Sequence, residues 1–297
     1  MTRFVGWLRK NADGFFALLL ALTVGLLGVL DVLGAEKVGA ATLLILALIA
    51  ATLLRDRYLS LREVSKNRMV SLLNGIEIGQ AHATARRNTE IWWFKGGTGT
   101  YLRASTLPIC VETARREQRP LRMQLEILDP ADEPLCKTYA QFRSSLAPAP
   151  DRTGETWTTD RTRKEAFATV LAACWYRQRF TFLTVEIGLS KVMSTFRWDL
   201  SSSCVIMTQD NANTPALMFE QDKPHYRDFS RDLVSSFKQT RKVQLSLADD
   251  LVFSDEPTIE ETKKLFSVLD LPLPASFSDR DVADIVRKAL RPRNPYE

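Results

Sequence analysis

The chain has 297 residues, of which 45% are hydrophobic and 25% charged, a composition that is ordinary for a folded protein and suggests one or two domains. Its formal net charge of +5 favours anionic partners such as lipid head groups, nucleotides or nucleic acid, but charge alone selects none of them. Four widely separated cysteines and two histidines indicate neither a disulfide framework nor a metal site, and no cofactor is predicted. The cysteines are expected to be small buried hydrophobes.

Two apolar runs without charged residues lie near the N-terminus, at residues 15–30 and 38–54. Each approaches the ~17 to 25 residues that a helix needs to cross a bilayer, so residues 1–54 are predicted to form a transmembrane helical hairpin. The alternatives are a cleaved secretory signal and a buried helical hairpin. Basic residues precede the first run and follow the second, so the positive-inside rule predicts that both termini and the main domain are cytoplasmic.

Small residues recur every four positions in both runs and would let helices approach closely in lipid, either within one hairpin or between hairpins of several copies. These predicted packing residues are Ala17, Ala21, Gly25, Ala47 and Ala51. Residues 55–84 mix apolar and charged residues without a proline, which predicts a stalk helix.

The rest of the chain alternates between strand and helix patterns. Residues 89–94 and 121–128 predict strands separated by a helix, with Met123, Leu125 and Ile127 on one face. This alternation predicts an α/β sensor domain over residues 85–247 with a largely parallel sheet, and residues 248–297 predict a C-terminal helical segment with two capped helices. A proline-rich loop with a short helix at residues 137–144 follows the second strand.

A glycine-rich sequence, “KGGTGT” at residues 95–100, follows the first of these strands. If the two strands are parallel neighbours, this loop and Asp129 lie at the carboxyl edge of the sheet, where open α/β folds bind ligands. Glycines let backbone N–H groups face a ligand, and nearby side chains supply donors for phosphate or carboxylate. The predicted ligand-binding residues are Lys95, Gly96, Gly97, Thr98, Gly99, Thr100, Arg103 and Asp129. The loop matches neither a Walker A motif nor a dinucleotide fingerprint, so a merely tight turn is the alternative.

Aromatic and basic residues supply weaker signals. Trp92, Trp93, Trp157, Trp175 and Trp198 could stack on bases, although at least one of the first two is expected in the core. Basic clusters at residues 161–167 and 238–243 are either solvated helix faces or contacts for anionic lipid or nucleic acid.

The strand, “GGTGTYLRASTLP”, an Arg-rich helix and a strand ending “ILDP” together resemble the first half of phospholipase-D-like domains in bacterial sensor and defence proteins. The resemblance covers residues 85–245 and implies the catalytic motif H-x-K-x4-D. The chain departs from this motif, because Thr84 replaces the lysine after His82, and His225, Arg227 and Asp232 form H-x-R-x4-D within a predicted helix. The resemblance therefore implies ligand sensing without catalysis.

A membrane hairpin joined to such a domain resembles the two-transmembrane effectors of bacterial antiphage defence, which are associated with cyclic-nucleotide synthases or retron reverse transcriptases. The resemblance implies an inner-membrane effector that senses an anionic ligand or partner complex and then disrupts the membrane. Implied partners are the lipid bilayer, further copies of the chain, and a cyclic nucleotide or a nucleic-acid-containing complex such as a reverse transcriptase with its DNA. The alternatives are a membrane-bound phospholipase-D-like phosphodiesterase and a noncatalytic membrane scaffold.

Overall fold

The computed structural model describes residues 35–66, 69–146, 154–209 and 214–294, together with Leu19 and Thr23. The chain divides into two compact units, Met1–Arg68 and Met69–Glu297. In the first unit, residues Ala35–Lys66 form one helix, α1.

The structure corrects the prediction of a transmembrane hairpin. Within the described residues, no helix combines the length and the hydropathy that a membrane crossing demands. The uncharged run in α1, residues 38–54, has 17 residues against the ~20 of a typical spanning helix, and α1 continues directly into Arg55, Asp56 and Arg57. The predicted hairpin, and the inner-membrane location that depends on it, are therefore wrong.

The structure describes the predicted packing residues and the predicted stalk only in part. Residues 15–30, including Ala17, Ala21 and Gly25, lie outside the described residues apart from Leu19 and Thr23. Ala47 and Ala51 are exposed on α1. Residues 55–84, predicted as one stalk helix, comprise the end of α1, the strand β1 (Ser71–Leu73) and most of the helix α2 (Ile76–Arg86).

The second unit is built around a mixed sheet of eight strands in the order β1-β7-β6-β5-β2-β3-β4-β8. The remaining strands are β2 (Ile91–Lys95), β3 (Leu121–Leu128), β4 (Leu183–Ser190), β5 (Phe196–Ser201), β6 (Cys204–Gln209), β7 (Ala216–Glu220) and β8 (Arg241–Val243). The α/β class is as predicted for this part of the chain, but the largely parallel sheet is not.

Connection length explains this difference. Strands β2, β3 and β4 are joined through helices and pair in parallel, because a parallel crossover needs about a dozen residues or more. Strands β5, β6 and β7 follow one another at short intervals of sequence and therefore pair antiparallel. Strand β5 also pairs antiparallel with β2, so the sheet is parallel only at its centre.

Helices cover both faces of the sheet. They are α3 (Leu107–Arg116), which follows a turn of π-helix at Leu102–Thr106, α4 (Glu133–Leu146), α5 (Thr159–Arg179), α6 (Pro224–Lys238), α7 (Ile259–Val268) and α8 (Asp279–Leu290). The larger core includes residues of α3, α5 and α7, whereas Leu233 of α6 packs with Leu200, Val205 and Phe219 in a smaller core. A three-layer arrangement results, with the central strands inside.

Double coverage explains the burial of the central strands. Met123, Leu125 and Ile127 are fully buried on one face of β3, as predicted. Gln124 and Glu126 on the other face are buried as well, because a strand inside a three-layer fold has no solvent face. Trp92 is also fully buried in the core, and all four cysteines are buried free thiols, so both predictions are confirmed.

The two C-terminal helices begin with capping boxes, as predicted. Thr258 and Glu261 cap α7 reciprocally, and Ser278 and Asp281 cap α8. Both helices belong to the second unit, and Phe266 of α7 packs edge to face on Phe167 of α5 with ring centroids 4.9 Å apart. The segment predicted as a separate C-terminal region therefore contributes to the core beside α5.

Candidate functional site

The glycine-rich loop lies at the carboxyl edge of the sheet, as predicted. Strands β2 and β3 are parallel neighbours, with Lys95 opposite Glu126. The loop is tied to β3 by two backbone hydrogen bonds, in which Gly96 N donates to Glu126 O and Leu128 N donates to Gly97 O. The turn between β2 and the following helix is thus fixed against the neighbouring strand.

Two of the glycines in this loop are required because other groups occupy the space of a side chain. A β-carbon on Gly97 would lie 2.6 Å from Cε2 of Tyr139 and nearer still to its Cζ and hydroxyl. One on Gly99 would lie 2.9 Å from Oγ1 of Thr169, and Gly99 also has a φ of +78°, which strains any residue with a β-carbon. The glycines therefore allow close packing of the loop against α4 and α5.

A small cleft, open to solvent, lies against this loop. It is lined by Phe94, Gly97, Thr98, Gly99, Thr100, Tyr101, Tyr139, Arg143, Trp157, Arg161, Ser194, Phe196 and Arg197. We call it the glycine cleft. Among the residues that the structure describes, its lining includes three arginines and no Asp or Glu, so it favours an anion.

One wall of the glycine cleft is a stack of aromatic and cationic groups. The guanidinium carbons of Arg143 and Arg161 lie 4.7 and 4.2 Å from the ring centroid of Trp157, at cation–π distance. The Tyr139 ring meets Trp157 edge to face, with centroids 5.7 Å apart. Arg161 also contacts Glu155, through its backbone oxygen at 2.7 Å and its carboxylate at 3.4 Å. The wall therefore holds two guanidinium groups in place beside the loop.

The third arginine of the glycine cleft, Arg197, is held by a buried polar cluster. Arg197 Nε donates to Asp199 Oδ2 at 2.8 Å, and its Nη2 lies 3.2 Å from Nε2 of His82. The guanidinium also lies over the Tyr101 ring, 4.6 Å from its centroid. The pKa of His82 is lowered to about 4, chiefly by burial; Asp199 opposes this shift, and Arg197 and Arg86 add to it. The imidazole is thus neutral at pH 7, and its Nε2 accepts from Arg197.

Arg103, a predicted ligand-binding residue, lies beneath the loop in a buried ion cluster. Its guanidinium donates to the Glu165 carboxylate and to the Lys288 backbone oxygen, and its Nε donates to Thr169 Oγ1 at 2.8 Å. Lys288 Nζ donates to Glu165 Oε1 at 2.9 Å. Burial by itself raises the pKa of Glu165, but Arg103 and Lys288 outweigh it, and the pKa is about 2. Arg103 thereby joins the loop to α5 and α8.

Two other predicted ligand-binding residues also have protein partners. Asp129 is buried, accepts two bonds of 3.0 Å from Arg241 Nη2, and accepts from the Ala131 backbone N–H. Lys95 donates to Ser236 Oγ at 2.6 Å and lines a different cavity of about 500 Å³. Of the eight predicted residues, the structure brings Gly97, Thr98, Gly99 and Thr100 together in the glycine cleft.

The H-x-R-x4-D residues lie elsewhere. His225, Arg227 and Asp232 are exposed on α6, and the His225 ring packs near Phe219 and Phe229, with centroids 5.8 and 6.2 Å away. They do not line the glycine cleft. In the described ranges no group of three His, Cys, Asp or Glu side chains is placed to hold a metal ion.

Several cleft residues come from segments whose position the sequence leaves open. Tyr139 and Arg143 are four residues apart on α4, and this spacing indicates one face of a helix. The sequence predicts only a short helix at residues 137–144 inside a loop. Trp157 lies just before the N-cap Thr158 of α5, and Arg161 lies in the first turn of α5, within a basic cluster of the sequence. No sequence pattern points to Arg197.

Comparison with known proteins does not assign the chain to a family. No family model matches it, and no curated protein matches it. A solved structure described as TrmBL2, an archaeal chromatin protein with a novel mode of DNA binding, is similar over 66% of this chain and 64% of that one, with 9% identity and a TM-score of 0.32. This chain thus spans less than two thirds of that protein's length, and a likeness this distant carries no argument about function.

These findings correct the resemblance drawn from the sequence. Without a matching family model, and without a membrane-spanning helix among the described residues, the chain is not supported as a two-transmembrane effector with a phospholipase-D-like domain. The structure does contain a strand, a glycine-rich loop and a second strand in the predicted order. This order is a local feature common to many α/β folds.

Proposed function

We propose that the domain formed by residues 69–297 is a binding module for an anionic, phosphate-bearing ligand, which it holds in the glycine cleft without transforming it. The observation that carries this proposal is the lining of the cleft, with three arginines and, among the described residues, no carboxylate. Guanidinium groups match the geometry of phosphate oxygens and bind them through paired hydrogen bonds.

The other lining groups suit the same ligand. The hydroxyls of Thr98, Thr100 and Ser194 are bonded within the protein, so the three arginines supply the donors for the phosphate. Trp157, which is half-buried, adds aromatic surface beside Arg143 and Arg161. A phosphate needs several donors, and a planar base needs an apolar or aromatic surface, so a nucleotide satisfies both parts of the lining.

The lining favours binding over hydrolysis. Among the described residues it contains no His, Cys, Asp or Glu, the groups that most often act as nucleophile or general acid–base. The nearest imidazole, His82, is buried behind Arg197. The proposal keeps the sensing role predicted from the sequence, and the role in antiphage defence stays a prediction.

A binding measurement on the full-length chain tests the proposal. Isothermal titration with pyrophosphate and with AMP is compared between the unmodified protein and Arg143→Ala. Loss of a charge-assisted hydrogen bond corresponds to about tenfold weaker binding or more. Arg122→Ala is the matched control. Arg122 is an exposed arginine that pairs with Glu186, and its substitution removes the same charge. The proposal fails if neither probe binds, or if both variants lose the same affinity.

A further inference from the structure

The cavity lined by Lys95, of about 500 Å³, lies at the same edge of the sheet as the glycine-rich loop. We call it the edge cavity. Its lining comes from the ends of β2, β3 and β4, the start of β8, the end of α6 and the segment 190–195. Of the described residues that line it, only Ser194 also lines the glycine cleft. The volume is within the ~300 to 1,000 Å³ that is usual for small-molecule sites.

Neighbouring strands bring charged side chains to the edge cavity. Lys95 of β2 lies opposite Glu126 of β3, and Arg241 of β8 lies opposite Leu189 of β4. Strands β2, β3 and β4 are parallel and end here, whereas β8 is antiparallel to β4 and begins here. Open α/β folds bind ligands outside the carboxyl ends of their parallel strands. The topology therefore places these charges where such folds bind ligands.

Glu126 is buried at this edge and has one carboxylate oxygen without a hydrogen bond. Its Oε1 accepts from Ser236 Oγ at 2.8 Å and lies 3.7 Å from Lys95 Nζ. No residue that the structure describes donates to its Oε2. A buried carboxylate oxygen without a donor is costly. A ligand that brings a donor to this oxygen, above all a cationic donor, removes that cost.

The cations of the edge cavity have donors that the protein leaves unused. Lys95 has three ammonium hydrogens and donates one bond, to Ser236 Oγ at 2.6 Å. Arg241 binds Asp129 through Nε and Nη2, and no described residue accepts from its Nη1. Lys191 is exposed and makes no hydrogen bond or ion pair with the described part of the chain. The cavity therefore offers several donors to an anion and one acceptor to a cation.

The charge balance stays positive when the groups bonded to the lining are counted with it. The lining has three cations and one carboxylate, from Lys95, Lys191, Arg241 and Glu126. Outside the lining, Asp129 binds Arg241, and Lys242 donates to Thr240 of the lining at 2.8 Å. Four cations thus stand against two carboxylates. A ligand with more carboxylates than amino groups is the electrostatic complement.

We propose that the edge cavity binds a dicarboxylic amino acid, in addition to the ligand of the glycine cleft. The ammonium group of this ligand binds Glu126 Oε2, and its α-carboxylate binds the neighbouring Lys95. Its second carboxylate binds Arg241 Nη1 and Lys191. Strands β3 and β8 are two strand spacings apart, roughly 10 Å, a span that these long side chains and a ligand of this size bridge together. A simple dicarboxylate supplies the negative charge but no donor for Glu126.

Isothermal titration of the full-length chain with L-glutamate and with glutarate, which lacks the amino group, tests the proposal. In Glu126→Gln we expect glutamate to bind about tenfold more weakly or worse, because a hydrogen bond between charged groups is lost. Glutarate should bind this variant no more weakly than it binds the unmodified protein. Glu186→Gln is the matched control, because it removes a carboxylate that pairs with Arg122 outside the cavity.

A second variant leaves the buried network intact. Lys191→Gln removes an exposed cation from the rim, so both glutamate and glutarate should bind about two- to fivefold more weakly. Lys264→Gln removes an exposed lysine of α7 and serves as its control. Thermal unfolding of each variant checks that it is folded, and if Glu126→Gln does not fold, Lys191→Gln decides the test.

Three results would overturn the proposal. It is wrong if glutamate does not bind the unmodified protein, or if Lys191→Gln binds both ligands like its control. It is also wrong if Glu126→Gln weakens glutamate and glutarate equally, because the carboxylate then recognises no amino group. Tighter binding of glucose 6-phosphate than of glutamate would assign the cavity to a sugar phosphate instead. The glycine cleft is tested separately, with pyrophosphate, AMP and Arg143→Ala, so either proposal can fail while the other stands.

Discussion

Gly97 and Tyr139 are packed so closely that no side chain fits between them. The Tyr139 ring and hydroxyl occupy the position that a β-carbon on Gly97 would take. Because Tyr139 in turn packs on Trp157, and Trp157 holds Arg143 and Arg161, this one contact links the glycine-rich loop to the cationic wall of the cleft.

We expect Gly97→Ala to lower the free energy of unfolding by about 1 to 3 kcal/mol, because an extra methyl group in a packed site displaces its neighbours. Tyr139→Ala in the same chain should recover the steric part of this loss, so the double-mutant cycle gives a favourable coupling. Urea unfolding measures both. Gly79→Ala is the control: no atom lies within 4 Å of its β-carbon position in α2, and alanine there should cost nothing. If the free-energy losses of Gly97→Ala and Tyr139→Ala simply add in the double variant, the steric contact between the two residues is contradicted.

Glu165 is expected to carry a large part of the stability of the buried ion cluster. Glu165→Gln leaves Arg103 and Lys288 without their shared carboxylate and should cost about 3 to 5 kcal/mol. Glu186→Gln breaks the exposed pair with Arg122 and should cost at most about 1 kcal/mol. Chemical denaturation compares the two. Equal costs would show that the cluster is not a net source of stability.

The same carboxylate predicts an acid dependence. The pKa of Glu165 is lowered from 4.5 to about 2 in the folded protein, so the unfolded chain binds this proton more readily. Its stabilising contribution is complete above the unfolded pKa and is lost as the pH falls from about 4.5 to about 2. Unfolding free energies measured through this window should depend less on pH in Glu165→Gln than in the unmodified protein.

His82 predicts a second pH dependence, in a higher window. Its pKa is lowered from 6.5 to about 4 in the folded protein, first by burial. Between these values the unfolded chain binds more protons, so stability falls as the pH decreases from about 6.5 to about 4, by at most about 1.4 kcal/mol per pH unit.

The variant His82→Gln should flatten this slope, because glutamine keeps an acceptor for Arg197 and does not titrate. His225→Asn removes the exposed imidazole on α6 and serves as the matched control. Urea midpoints at pH 7, 5.5 and 4.5 supply the comparison. If the unfolding free energy of His82→Gln varies with pH as steeply as that of the unmodified protein, groups other than His82 cause the pH dependence.

The thiols are expected to be unreactive in the folded protein. Burial raises the pKa of Cys110, Cys136 and Cys174 to about 12 and also raises that of Cys204. Because the thiolate is the reactive form, a thiol reagent at pH 8 should label none of them until denaturant is added, and then all four. Rapid labelling of any thiol without denaturant would show that its site opens.

Local patterns predicted the centre of the fold well. The alternation of Met123, Leu125 and Ile127, and the strand, helix, strand order around residues 91–128, led to the parallel β2–β3 pair and to the loop at its carboxyl edge. The apolar run at residues 38–54 predicts a membrane span that α1 does not provide, because a run of uncharged residues records hydrophobicity and not what packs against it.

The sequence by itself determined that a glycine-rich turn follows a buried strand and meets the end of its parallel neighbour, because residue pattern and connection length dictate both. Only the tertiary structure decided which charges face the cleft. Lys95 and Arg103, close to the loop in sequence, and Asp129, after the neighbouring strand, have protein partners, since a charge in or near the interior needs a counter-charge or hydrogen bonds. The arginines of the cleft come instead from α4, α5 and β5, which meet only when the chain has folded.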